Sequence, residues 1–362
     1  MKYVDEFRDQ TLARNLASSL RANADPTRHY RFMEFCGGHT HALARHGVLD
    51  LLPPNLQMIH GPGCPVCVLP VGRIDMALQL ALQREVMLCT YGDVMRVPAS
   101  GGVSLQRAKA RGADIRMVYS PADALQLARV HPTRQVVFLA IGFETTTPPS
   151  ALVVRQAARE GIGNFSLLCN HVLTPAAITH ILQAPEAAQY GSVTLDGFVG
   201  PAHVSVVIGS APFEPFAHAW RKPVVISGFE PLDLMQSILM LVRQVNDGRA
   251  EVENQFTRAV SRAGNTLAQA VVNEVFELRD SFEWRGLGEV PNSALQIRPE
   301  FTGFDAERRF GLEYQAVADH KQCDCGAILR GVKQPTDCKL FATVCTPENP
   351  LGSCMVSSEG SC

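Results

Sequence analysis

The chain has 362 residues, 46% of them hydrophobic and 19% charged, and its 33 basic and 35 acidic side chains leave a formal net charge of −2. At about 150 residues per domain that is material for two or three packed cores, without the composition of a disordered chain. The even charge balance, with no Lys/Arg-rich run, argues against an electrostatic nucleic-acid binder. The longest apolar runs, 136–141 and 238–242, fall far short of the roughly 20 residues of a membrane helix. The start, Met1-Lys2-Tyr3-Val4-Asp5-Glu6, is charged and lacks the apolar core of a signal peptide, so a soluble, cytoplasmic protein is expected.

Residues 2–24 carry an amphipathic helical pattern, with Leu12, Leu16 and Leu20 at four-residue spacing, ending before Asp25-Pro26. A rhythm then sets in: a short apolar run ends in glycine and a polar residue, and a helix-like segment follows. The runs at 30–35 and 56–59 lead into Cys36-Gly-Gly-His39-Thr-His41 and His60-Gly-Pro-Gly-Cys64-Pro-Val-Cys67; the run at 86–91 leads into Gly92-Asp93. Further on, 136–141 leads into Gly142-Phe143-Glu144-Thr145-Thr146, 166–169 into Asn170-His171, 195–199 into Gly200-Pro201-Ala202-His203, and 224–226 into Gly228-Phe229-Glu230.

Strand-length runs alternating with helices predict an α/β protein of βαβ units with parallel sheets. The units outnumber one compact sheet, so two Rossmann-like domains are expected, 1–130 and 131–246, with a break near 130–134. From 247 a helical stretch over 252–275 and a Pro-, Gly- and Cys-rich region without clear period predict a smaller third unit, 247–362. Ligands of such sheets bind beyond the carboxyl ends of the strands. Cys36, His39, Cys64, Cys67, Asp93, Glu144, His203 and Glu230 all occupy that position and are expected to converge on one cleft.

Cysteine is the informative residue: there are 11, and six of them fall between Cys323 and Cys362. An odd count in a long chain does not fit a secreted disulfide scaffold; clustered thiols in the cytosol point to metal, an iron–sulfur cluster or redox work. Cys64-Pro-Val-Cys67 lets two thiols share a metal or close a small disulfide ring, and thioredoxin-like, zinc and structural readings compete for it. Gly61-Pro62-Gly63 and Pro65 stiffen that loop and leave room for close approach by another group. In the Cys36 motif a thiol precedes a helix whose N-terminus favours thiolate, and thiolate with imidazole suits iron or zinc. His41 reads equally as a capping or surface residue. Among Cys323, Cys325, Cys338, Cys345, Cys354 and Cys362, four thiolates suffice for a [4Fe–4S] cluster or an all-cysteine zinc site, and spacing does not choose between them. The remaining two could form a redox-active pair. Cys89 and Cys169 lie inside apolar runs and read as core thiols; Asp93, Glu144 and Glu230 read as catalytic or as helix caps.

Residues 32–41 (Phe-Met-Glu-Phe-Cys-Gly-Gly-His-Thr-His), 61–67 (Gly-Pro-Gly-Cys-Pro-Val-Cys), 142–146 (Gly-Phe-Glu-Thr-Thr) and 355–360 (Met-Val-Ser-Ser-Glu-Gly) together resemble the HypD family of [NiFe]-hydrogenase maturation factors, and the resemblance spans the chain. It implies a scaffold with redox activity for assembling the Fe(CN)2(CO) group, working with a small HypC-type chaperone. A HypE-type donor would bring cyanide made from carbamoyl phosphate through HypF. It implies a transient Fe(II) held at Cys36, with His39 and Glu144 in the catalytic set, a redox pair Cys64/Cys67 in the same cleft, and a [4Fe–4S] cluster on Cys325, Cys338, Cys345 and Cys362. Cys323 and Cys354 would be the extra pair. Family members often carry Pro-Gly-His-Val-Ser where this chain has Pro201-Ala202-His203-Val204-Ser205, and Ala202 would be strained if that position needs a positive φ. A thiol–disulfide oxidoreductase and a zinc-stapled structural scaffold are the alternative readings.

Overall fold

A computed structural model of the chain describes residues 4–183 and 194–362. The apolar runs form short parallel strands: β1 (Tyr30–Glu34), β2 (Leu56–His60), β3 (Val86–Thr90), β4 (Ile115–Met117), β5 (Gln135–Gly142), β6 (Phe165–His171), β7 (Gly197–Pro201), β8 (Val224–Ser227) and β9 (Val252–Asn254). They make two sheets, one in the order β2-β1-β7-β8-β9 and one in the order β4-β3-β5-β6, with parallel pairing throughout. Helices cover both faces, which is why strands such as β3 and β6 are buried along their whole length and read as unbroken apolar runs.

The mixed α/β class with two parallel sheets is as expected, but the domain boundaries are not. The chain leaves the first sheet after β2, builds the whole second sheet from β3 to β6, and returns for β7 to β9. The expected break at 130–134 therefore falls inside one sheet, between strands that share β3 as context: β3 pairs with β4 on one side and β5 on the other. Strand–helix alternation reveals units but not their sheet, because a crossover within a sheet and one between sheets look alike in sequence.

The expected helix over 252–275 is also corrected. Val252–Asn254 is the edge strand of the first sheet, and the helix is Thr266–Val275, started by Asn265, whose side chain accepts from the Ala268 amide at 3.0 Å. A three-residue strand is too short to show a period. The remainder is not a detached unit. Two antiparallel strand pairs, Phe276–Leu278 with Leu295–Ile297 and Ser281–Trp284 with Gly288–Pro291, lie against the second sheet. Trp284, fully buried, meets the Phe143 ring at 6.1 Å and donates Nε1–H to Ser293 Oγ at 2.8 Å.

At the N-terminus, helix Gln10–Asn23 is capped by Asp9, which accepts from the Leu12 amide. It rests on helix Pro231–Asn246 through Ala17 and Leu20, leaving Leu12 half-exposed. Among the described residues no helix is long and apolar enough to cross a membrane.

Candidate functional site

The carboxyl ends of the two sheets face each other across a cleft of about 560 Å³. Cys36, His203, Phe229 and Glu230 reach it from the first sheet; Tyr91, Asp93 and residues 141–146 other than Glu144 reach it from the second. Cys36 is its buried thiol. It continues β1 in an extended conformation and precedes helix Gly37–Arg45. Its amide donates to Glu34 Oε2 at 2.7 Å, and the other oxygen of this fully buried carboxylate accepts from Thr40 Oγ1 and lies 2.9 Å from His60 Nδ1. Cys36 Sγ lies 3.4 Å from His203 Nδ1.

Burial pushes the Cys36 thiol well above the ordinary thiol range, and the Glu34 carboxylate adds to this; the helix amides of His39 and Gly38 pull the other way and lose. Burial lowers His203 to about 4, so at neutral pH its imidazole is uncharged and able to accept a proton. At rest Cys36 is therefore a protonated thiol beside a neutral base, and a cation in the cleft that displaces the proton would find an acceptor next to it.

The loop carrying Gly61-Pro-Gly-Cys64-Pro-Val-Cys67 lies directly against this turn. The group that Gly63 admits is Cys36 itself: a Cβ on Gly63 would overlap the Cys36 backbone, and Gly63 O accepts from the Gly37 amide at 2.9 Å. On its other flank Gly37 meets Glu359 of the C-terminal tail, which has no room for a Cβ there.

Several expected members are elsewhere. Cys64 and Cys67 do not line the cleft; Gly63, Pro65 and Val66 of their loop do, and the two buried thiols face away from it. Cys64 Sγ accepts from the Cys67 amide at 3.3 Å, and a thiol hydrogen bond joins Cys67 to Cys354. His39 lies beneath the cleft, its Nε2 3.1 Å from Ser227 O and its ring 4.9 Å from Phe229. Glu144 is buried and accepts from the Thr174 amide at 2.8 Å and Thr174 Oγ1 at 3.0 Å, so it caps helix Thr174–Gln183; burial raises it to about 7. Glu230 lines the cleft and is held by Arg8 through two hydrogen bonds, at 2.5 and 2.9 Å. Ala202 has no positive φ and opens helix Ala202–Ile208 without strain.

Behind the Cys64–Cys67 loop, five sulfurs, those of Cys323, Cys325, Cys338, Cys345 and Cys362, surround one small gap. The expected pairing of Cys323 with Cys354 is not what the geometry offers. Cys323 Sγ is 3.2 Å from Cys325 Sγ, whereas Cys354 touches Cys67, Cys325 and Cys362. Through its contacts with Cys323 and Cys354, Cys325 is pulled below the ordinary thiol range, while Cys323, Cys354 and Cys67 are pushed above it. For Cys67 the bond to Cys354 lowers and the contacts with Cys64 and burial raise, and the latter win. Among the described residues no three His, Cys, Asp or Glu donors converge tightly enough to chelate a single ion. A four-iron cube asks for something different: one thiolate at each corner, spread around a gap. In thiol chemistry the donor set suits that; as placed, the sulfurs are packed together, Cys323 and Cys325 at 3.2 Å beside a gap of about 10 Å³, and Gly352 fits next to them only because it has no Cβ.

Sequence reasoning missed Arg8, Arg45, His46, Tyr91 and Glu359 as cleft residues. Glu359 lay within the 355–360 motif; Arg8 had no local signal, since only tertiary packing brings the segment before helix Gln10–Asn23 to Glu230.

The chain matches the family described as "HypD: Hydrogenase formation hypA family" over residues 11–362. It belongs to that family. It is 71% identical to "Hydrogenase maturation factor HypD" of Cupriavidus necator, over all of this chain and 96% of that protein. It is 64% identical to the protein of that name from Rhizobium leguminosarum bv. viciae (all of this chain, 94% of that one) and 45% identical to that of Escherichia coli (all of this chain, 96% of that one). As a HypD family member the chain is a hydrogenase maturation factor.

Proposed function

We propose that the chain is the cytoplasmic scaffold on which the Fe(CN)2(CO) group of [NiFe]-hydrogenase is assembled, with iron as its cargo. The observation that carries this reading is the buried Cys36 thiol in an open cleft with the neutral His203 imidazole 3.4 Å away. Cyanide and CO are strong-field ligands that need low-spin Fe(II), and a thiolate is the anchor that such a soft site retains. Binding Fe(II) releases the Cys36 proton, and His203 is placed to accept it. The remaining volume, about 560 Å³, admits the ion, its diatomic ligands and a contacting residue of a HypC-type chaperone, while a HypE-type donor, fed through HypF, delivers cyanide.

Cyanide leaves a thiocyanate-type donor as CN⁻ only when the C–S bond takes up two electrons and the donor becomes a thiolate. Oxidation of Cys64 and Cys67 to a disulfide releases two electrons and two protons, which balances one transfer. A [4Fe–4S] cluster, when bound, supplies electrons one at a time to restore that dithiol. Cys325, Cys338, Cys345 and Cys362 are the ligands we favour, and Cys323 is the further sulfur on the same gap. Cys354, in contact with Cys67, links the two sets. A general thiol–disulfide oxidoreductase is disfavoured because Cys67 is bonded to Cys354 of the C-terminal thiol cluster, a connection that such an activity does not use.

Iron, acid-labile sulfide and zinc measured on anaerobically purified protein, with infrared spectra, test the reading. About four sulfides and more than four irons per chain are expected, with bands of bound cyanide and CO. Cys36→Ala should keep the sulfide and its broad visible absorbance but lose the extra iron and the infrared bands. Zinc without sulfide, or unchanged bands in Cys36→Ala, would overturn it.

A further inference from the structure

A second cavity, of about 850 Å³, shares no lining residue with the Cys36 cleft. It lies between the turn Ser100–Gly102, helix Leu105–Ala110 and the C-terminal segments 317–320 and 348–351. Three guanidinium groups line it. Arg285 is 4% exposed; its Nε is paired with Asp319 Oδ1 at 2.5 Å, while Nη1 is buried with no hydrogen-bond partner. Arg96 and Arg107 give their N–H groups only to carbonyls: Arg96 to Pro347 O at 3.3 Å and Val356 O at 2.9 Å, Arg107 to Gly102 O at 2.8 Å. Neither meets a carboxylate among the described residues. The acidic groups of the lining are Asp319, already paired, and Glu348.

We propose that this cavity binds a phosphate-type oxyanion, held among the guanidinium groups of Arg285, Arg107 and Arg96 that line it. A buried guanidinium N–H without an acceptor is costly, and proteins rarely leave one so; an oxyanion supplies the acceptor. The guanidinium fork matches the oxygens of phosphate, and two further uncompensated charges favour a multiply charged anion over a neutral molecule. The volume is that of a small-molecule site. The cavity also adjoins the thiols: Leu351 lines it and donates its amide to Cys345 Sγ at 3.4 Å.

Calorimetric titration of the full chain with inorganic phosphate and with glycerol 3-phosphate, at low ionic strength, tests this. Saturable binding of both is expected, weakening as salt rises and falling at least about tenfold in Arg107→Gln, an exposed position where folding is safe. Tighter binding of glycerol 3-phosphate would assign the occupant to organic phosphate esters; tighter binding of inorganic phosphate would assign it to the free ion. Absence of saturable binding at millimolar concentration, or an unchanged affinity in Arg107→Gln, would overturn the proposal.

Discussion

The Cys36 cleft and the C-terminal thiol pocket are separated by one loop, 61–67, yet they are built in opposite ways. The cleft stands on two parallel sheets, and its thiol is fixed by backbone: a strand end, a helix start and a buried carboxylate that accepts the Cys36 amide. Around the thiol pocket regular structure is scarce. Apart from helix Cys325–Leu329 and isolated turns, residues 320–362 hold their place through sulfur, a few apolar side chains and close backbone contacts. A site on a packed scaffold can keep its shape while its cargo comes and goes. A site held by its own ligands has a shape that depends on them.

The strongest way to break this comparison is to remove one sulfur. In Cys338→Ser, amide hydrogen exchange is expected to accelerate by orders of magnitude across 323–362 while β3, β5 and β6 keep their protection. Equal loss in both regions would mean that the pocket, too, is held by the scaffold.

Next in size is the joint between them. Gly63→Ala puts a methyl group into the Cys36 backbone, and the loop has to move; a loss of about 3 kcal/mol is expected from such overpacking. The same shift would pull Cys36 and the Cys64–Cys67 pair out of register. Denaturant unfolding checks the first outcome, and iron retention at constant sulfide checks the second. A variant as stable as the parent would show that the contact is not rigid.

The smallest effect sharpens the scaffold side. Glu144 is raised to about 7 by burial, so the folded state holds its proton where the unfolded chain, with an ordinary carboxylate, has lost it. Its contribution is therefore unfavourable above about 7 and fades as pH falls towards about 4.5. His171, lowered to about 4 by burial, acts with the opposite sign: folding favours its neutral form, and stability is lost as pH falls from about 6.5. Glu144→Gln should thus make stability rise more steeply between pH 5 and 7, by roughly 1–3 kcal/mol over that range. Unfolding free energies at the two ends decide it, and an unchanged slope would mean that Glu144 remains ionised in the folded protein.

Much of the cleft was legible because its residues obey a local rule. Cys36, Asp93, His203 and Glu230 each follow an apolar run, and the ends of parallel strands are where ligands go. The same rule misplaced Cys64, Cys67 and Glu144, since position after a strand does not say which way a side chain turns. Cys64 and Cys67 flank Pro65 and Val66, and the loop presents those two to the cleft while the Cys67 thiol turns to Cys64 and Cys354. Glu144 sits one residue from the cleft-lining Phe143 but turns inward to cap Thr174. Glu359 and Arg8 enter the cleft from opposite ends of the chain, where no periodicity could announce them.

What the sequence by itself determined is the class of structure and of chemistry: buried parallel strands written as apolar runs, one thiol at a strand end, and a cysteine-rich tail in an otherwise globular chain. Those depend on period and residue type, which are local. Only the tertiary structure decided that β3 to β6 form a sheet of their own between the second and third strands of the first sheet in chain order, that the Cys64–Cys67 loop presses against Cys36 with its thiols facing the other way, and that Arg285 keeps a buried, unpartnered N–H beside a separate cavity. Each of these depends on which surfaces come to lie together, and that is set by the burial of all the elements at once.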